Sequence, residues 1–131
     1  MRINTNKHSE IDIFGVILIE KYGFGHIRVN GKDYHRDIII LPDGKIIDNW
    51  WRKEGHRFQL EDLKPLLNME MQYLVLGTGY FGIVKVDKEV IEYFKSKGIN
   101  VIVKNSREAV KEYNSLVKKG YKTALAIHLT C

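Results

Sequence analysis

The sequence predicts a mixed α/β fold. A single compact domain carries an N-terminal antiparallel β-meander and a C-terminal β-α-β-α-β parallel unit on one mixed sheet. Three observations predict it. Up to about residue 60, apolar residues alternate with polar ones between Gly-, Asn- and Pro-containing turns, the period of half-buried strands. From Gln72 onward, two segments of helical spacing alternate with three short apolar runs, and the short connections demand parallel strands. A chain of 131 residues is long enough for one core and too short for two.

Residues 1–10 are polar and read as a loose arm. Ile11 to Glu20 reads as the first strand, with Ile11, Ile13, Val16 and Leu18 alternating around Gly15. Tyr22-Gly23-Phe24-Gly25 is a bend. His26 to Asn30 alternates again, and Asn30-Gly31 signals a hairpin because both residues accept positive φ. Lys32 to Leu41 is the return strand, closed by the turn Pro42-Asp43-Gly44-Lys45. In Phe58 to Asn68 the period changes: Leu60, Leu63, Leu66 and Leu67 follow helical spacing. Pro65 belongs in a first helical turn, so a short helix is expected to start near Glu61 or Asp62.

The second half is more regular. A strand over Gln72–Leu76 leads into a Gly-rich turn. A helix over Lys88–Lys97 has Asp87 as cap and Gly98 as stop. A strand over Ile99–Val103 follows, then a helix capped by Ser106 and ended by Gly120, with Ala109, Val110, Tyr113, Leu116 and Val117 on its apolar face. The last strand is Thr123 to about Leu129.

Composition excludes several classes. No apolar run approaches the ~18 residues of a membrane span, and the first residues lack a signal-peptide core. One cysteine excludes an internal disulfide and a multi-cysteine zinc site. A cytoplasmic location is expected. The net charge of +5 sits wholly in the C-terminal half: residues 1–71 carry 11 basic and 11 acidic side chains, residues 72–131 carry 10 and 5. That asymmetry leaves nucleic-acid binding through the basic half as an alternative, but the lysines alternate with apolar helix positions and form no dense run.

The feature that most invites a ligand is Gly77-Thr78-Gly79-Tyr80-Phe81-Gly82, a G-x-G-x-x-G turn after a strand. In a dinucleotide fingerprint the glycines open the helix whose N-terminus holds the pyrophosphate. Here Ile83-Val84-Lys85-Val86 intervenes before the cap at Asp87, and no acidic residue ends the next strand. A wide loop needing glycines for positive φ fits better, and no dinucleotide cofactor is expected. An anion or small molecule at Gly77–Gly82, with His128 nearby, is the alternative functional reading.

Two further groups stand out. In a regular last strand His128 and Thr130 share a face with Ala124 and Ala126, whereas Cys131 falls on the other, so alternation separates the Cys–His pair that a nucleophile would need. Trp50-Trp51-Arg52-Lys53-Glu54-Gly55-His56-Arg57 places two adjacent tryptophans beside arginine; on a strand they face opposite sides, so one is expected to meet a partner, a loop or a pocket. His8, His26, His35, His56 and His128 show no metal-binding spacing, and no paired carboxylates or nucleophile elbow stand out. No metal and no catalytic residue is assigned, and the sequence leans away from an enzyme.

Taken together, several pieces resemble a known family. They are Gly23-Phe24-Gly25, Asp37 before Ile38–Leu41, Trp50-Trp51-Arg52 with Gly55-His56, and Leu76-Gly77-Thr78-Gly79. Gly98-Ile99-Asn100-Val101, Ala109-Val110-Lys111-Glu112-Tyr113-Asn114 and His128-Leu129-Thr130-Cys131 complete the set. Over residues 20–131, leaving 1–19 outside, the chain resembles a small-domain family of unknown function. Its mammalian member is called the adipogenesis-associated domain protein, and a distant branch includes a mitochondrial complex I assembly factor. The resemblance implies an α/β domain with a mixed central sheet, no cofactor and no catalytic residue to carry over, and action through protein partners. It also implies a shared cleft at Gly77, Thr78, Gly79, Asn114, His128 and Thr130. The assembly-factor branch lacks the His-x-Thr-Cys ending, which argues against a respiratory role here. The expected function is therefore a protein-interaction adaptor or assembly factor without catalytic activity, engaging its partner through Trp50, Trp51, Arg52 and His56.

Overall fold

A computed structural model describes residues 17–131. Its centre is a five-stranded mixed sheet in the order β5-β4-β10-β7-β9. The strands are β4 (Ile38–Ile40), β5 (Ile46–Ile47), β7 (Tyr73–Thr78), β9 (Asn100–Lys104) and β10 (Thr123–His128). β7 runs parallel to both β9 and β10, and β10 runs antiparallel to β4. All six residues of β10 are buried, because both faces of the sheet are covered.

The coverage follows from connectivity. From β7 the chain passes through helix α1 (Lys88–Ser96) to β9 on one side, then through helix α2 (Ser106–Lys118) back to β10 on the other. The two helices thereby reach opposite faces. Alternation along β10 sends Ala124 and Ala126 to the face of α1, where they join Leu74, Leu76, Val90 and Phe94. Leu125 and Ile127 go to the face of α2, with Val75, Ala109 and Tyr113.

A second, three-stranded antiparallel sheet extends the α2 face: β1 (Ile19–Gly23), β2 (His26–Val29) and β3 (Lys32–Tyr34). The Asn30-Gly31 hairpin forms as its sequence dictates, with φ of 46° and 81°. Asn114 ties this sheet to α2 at two points: its Nδ2 donates to Ile19 O at 2.8 Å and its Oδ1 accepts from Ile19 N–H at 2.9 Å.

The mixed α/β architecture is as expected; its local departures have identifiable causes. The return strand expected over Lys32–Leu41 breaks at His35–Asp37, because β3 and β4 belong to different sheets. Of the first strand expected over Ile11–Glu20, residues 11–16 lie outside the described residues, and β1 starts at Ile19. The leucine-rich segment is a 3₁₀ helix, Leu60–Leu66, kinked at Leu63 (φ −105°, ψ 20°). Pro65 follows that kink, so it opens a new turn and costs no internal bond. The cap of α2 is Asn105, whose side chain accepts from Glu108 N–H, and not Ser106, whose hydroxyl is used elsewhere. Asp87 caps α1 by position only, since its carboxylate is held by Arg57 at 2.7 and 3.1 Å. That contact accompanies a short parallel pair, β6 (Arg57–Phe58) with β8 (Lys85–Val86). No helix is long and apolar enough to cross a membrane among the described residues.

Candidate functional site

In open α/β sheets a ligand crevice forms where neighbouring connections leave in opposite directions, beyond the strands' carboxyl ends. Here the carboxyl ends of the parallel strands β7 and β10 lie side by side, where Thr78 pairs with His128. The Gly-rich turn lies at this end of the sheet, with its N–H groups on protein acceptors. Gly79 N–H donates to Ser106 Oγ at 2.8 Å, Tyr80 N–H to Thr130 O at 3.2 Å, and Gly82 N–H to Gly79 O at 3.0 Å. Ser106 Oγ–H in turn donates to His128 O at 2.6 Å. Thr78 Oγ1–H donates to Lys104 O at 3.1 Å. Gly79, at φ +105°, lies so close to the final segment that a Cβ would stand 2.5 Å from Thr130 O. Gly77 has no room either: a Cβ would meet Ile127 Cγ1 at 2.7 Å.

On the other side, the break between β3 and β4 and the loop after β5 meet the final segment His128–Cys131. Register explains the meeting: β10 and β4 last pair at Ile127 and Ile38, so the next step sets His128 opposite Asp37. His128 Nδ1 lies 2.7 Å from Asp37 Oδ2, Arg52 Nη1–H donates to the same oxygen at 2.6 Å, and Leu129 N–H donates to Asp37 Oδ1 at 2.8 Å. Burial alone would raise the Asp37 carboxyl, but the hydrogen bonds from His128, Arg52 and the Leu129 amide outweigh it and hold the group below its ordinary value. An ionised Asp37 only accepts, so His128 Nδ1 carries the proton. In the neutral ring Nε2 is then an acceptor, 3.3 Å from the Thr130 hydroxyl. Arg52 Nη2 lies 3.1 Å from Nδ1 because Nη1 of the same guanidinium shares Asp37 Oδ2 with Nδ1, and Nη2 donates to Gly55 O at 2.7 Å.

Arg52 is itself buried, with only 5% of its side chain exposed. Its guanidinium lies 5.3 Å from the Trp50 ring and 5.4 Å from the Phe58 ring. Its Nε–H finds no hydrogen-bond partner among the described residues, and the charge lies against these aromatic faces. The tryptophans divide as adjacent aromatics should, though on a loop and not a strand. Trp50 is buried and donates its indole N–H to Asp62 O at 2.9 Å, whereas Trp51 is 75% exposed.

These groups line a cavity of about 770 Å³. It unites two sets that the sequence kept apart: Trp50, Trp51, Arg52 and His56 share its walls with His128 and Thr130. Gly77, Thr78, Gly79 and Asn114 are not among the residues that line it: Thr78 pairs with His128, Gly79 packs on Thr130 and Cys131, Gly77 packs on Ile127, and Asn114 is bonded to β1. Sequence reasoning missed His35, Arg36, Asn49 and the pairing role of Asp37. The polar run His35-Arg36-Asp37, and Asn49 directly before the two tryptophans, were the available signals. Cys131 does meet a histidine, but it is His56 at 3.6 Å. Among the described residues, no three His, Cys, Asp or Glu side chains are arranged to hold a metal ion.

Beside the cavity lies an aromatic ledge. Phe24 (59% exposed) sits 6.2 Å from Phe81 (67% exposed) and 5.9 Å from Tyr80, with Tyr22 6.1 Å from Tyr80. It is fastened to the same final segment: Gly25 N–H donates to Leu129 O at 3.0 Å and the Tyr22 hydroxyl donates to that oxygen at 2.9 Å. Burial pushes the Tyr22 phenol up to about 12, so it remains a donor.

The fold is shared with solved proteins. The chain is similar to a structure described as MT938, at 23% identity and a TM-score of 0.74, covering 88% of this chain and 99% of that one. A conserved hypothetical protein, PH1505 from Pyrococcus horikoshii, is 27% identical with a TM-score of 0.70 over 86% and 98% of the two chains. A Mth938-like domain from Bordetella pertussis is 17% identical, with a TM-score of 0.68 over 98% and 92%. Among curated proteins, the NADH dehydrogenase [ubiquinone] 1 alpha subcomplex assembly factor 3 of Xenopus tropicalis is 27% identical over 120 residues. That match takes in 90% of this chain but only 64% of the relative's length. A family model described as protein of unknown function (DUF498/DUF598) matches residues 19–128. With its mixed sheet, covering helices and matched span, the chain belongs to the DUF498/DUF598 family of proteins of unknown function.

Proposed function

We propose that this protein is a non-catalytic interaction module, an adaptor or assembly factor that binds a protein partner at the C-terminal end of its central sheet. The observation that carries the reading is the set of exposed side chains there. Phe24, Trp51, Phe81 and Ile83 are each more than half exposed, around a buried frame that holds them in place. Large apolar side chains on a rigid support are what partner surfaces concentrate. The cost of exposing them is recovered only when a partner covers them. Trp51 and His56 remain the proposed contact residues of the cavity rim; Trp50 and Arg52 serve by holding that rim.

The assembly factor of Xenopus tropicalis supports the reading by its name. A cytoplasmic location is part of the proposal. The test is affinity capture at native salt with wild type, Trp51→Ala and a Phe24→Ala/Phe81→Ala double variant. A partner retained by wild type and lost from either variant is the expected result. Identical recoveries from all three would remove the proposal.

A further inference from the structure

The cavity carries more charge chemistry than an aromatic docking face requires. The charged side chains that line it are Arg36, Arg52 and Lys53 against one side-chain carboxylate, Asp37. Asp37 and Arg52 neutralise each other, and Lys53 lies 3.4 Å from Glu61. Arg36 meets no carboxylate among the described residues; its guanidinium donates to Asn49 Oδ1 at 3.2 Å, and the exposed residue lines the cavity. A guanidinium is always charged and presents a planar fork suited to carboxylate or phosphate.

Two other walls narrow the ligand. Trp51 offers an exposed indole face, on which a planar group can stack. His128 is locked with Nδ1–H toward Asp37, which aims an acceptor, Nε2, at the side where Thr130 stands. A volume of about 770 Å³ suits a small metabolite. We infer that the cavity binds a small planar organic anion. Its carboxylate or phosphate lies on Arg36, its ring on Trp51, and a hydroxyl or N–H donor points to His128 Nε2. The site is separate from the Gly77–Gly82 turn, and it does not depend on a protein partner.

The test is a titration of the full ¹⁵N-labelled chain followed by NMR, with phenyl phosphate, benzoate and phenol as probes. Phenyl phosphate or benzoate is expected to give saturable shifts at the Trp51 indole N–H and at the amides of Arg36 and Thr130. Phenol, with the ring but no charge, should bind at least about tenfold more weakly, and Arg36→Ala should weaken the anion by a similar factor. Arg36→Lys should recover part of that loss, because a point charge replaces the fork. Which anion binds more tightly identifies the headgroup. No saturable shifts with either anion at millimolar concentration, shifts confined to another surface, phenol binding as well as the anions, or unchanged affinity in a folded Arg36→Ala would each overturn the inference.

Discussion

Asp37 and His128, 91 residues apart in the chain, meet at 2.7 Å, with Arg52 donating to the same carboxylate oxygen at 2.6 Å. This contact is the hinge pin of the site. It joins the strand break before β4, the tryptophan loop and the final segment, three pieces that no local propensity would bring together. Removing one partner strands a charge: Asp37→Ala leaves Arg52 buried without a counter-ion, and the expected loss is about 3–5 kcal/mol. Replacing both with apolar residues should cost less than the sum of the two single changes. Urea denaturation of the two single variants and the double variant measures this directly.

Acid stability should carry the signature of the same carboxylate. Asp37 is held below its ordinary value of 3.8 in the folded protein, so the unfolded chain binds its proton more tightly. Its contribution is therefore fully present above that value and is lost as pH falls through the lowered one. Asp37→Asn should flatten the acid limb of a stability profile recorded below pH 3.8, relative to wild type. An unchanged limb would place the acid sensitivity elsewhere.

The adjacent tryptophans should behave oppositely. Trp50 packs on Phe58 with ring centroids 5.4 Å apart and donates to Asp62 O, so Trp50→Ala should destabilise by about 3–5 kcal/mol. Trp51 is exposed, so Trp51→Ala should change stability by no more than about 0.5 kcal/mol. Thermal unfolding of the two variants checks both values; Trp51→Ala should lose partner capture while its fold stays intact.

Gly79→Ala should be tolerated poorly, because the position needs positive φ and a Cβ there would press on Thr130 O and the Cys131 backbone. A loss of about 1–3 kcal/mol is expected. Gly77→Ala should be costly for a different reason, a Cβ wedged between Ile127 and Ser106 Oγ at 2.7 and 2.9 Å. If either alanine variant unfolds at the wild-type urea concentration, these glycines are not joints.

Much of the fold could be read from the residues, and the site could be read only in pieces. Periodicity exposed the two helices and the parallel unit because long amphipathic segments and short connections leave few topologies. The Asn30-Gly31 hairpin was equally plain. The two-residue pair β6–β8 carries no periodic signal, and the break at His35–Asp37 depends on which sheet each half joins, a tertiary choice. In the same way, His128 and Thr130 were legible as one face of the last strand, and Trp50-Trp51 as an unusual surface. That they line one cavity follows from the register that sets Asp37 against His128, and nothing local encodes that register. The G-x-G-x-x-G spacing pointed to the right end of the sheet, where the glycines admit the final segment at close range and the N–H groups of Gly79, Tyr80 and Gly82 go to protein acceptors.

The interaction proposal is tested most directly by site-specific photocrosslinking. A benzophenone side chain replaces Trp51 or Phe81 at the sheet end, or Lys88 on α1 as control, since Lys88 is 89% exposed and clear of the cavity. Discrete adducts with the same partner from positions 51 and 81, and none from position 88, are the predicted result. Adducts of equal yield from all three positions, or from none, would contradict it.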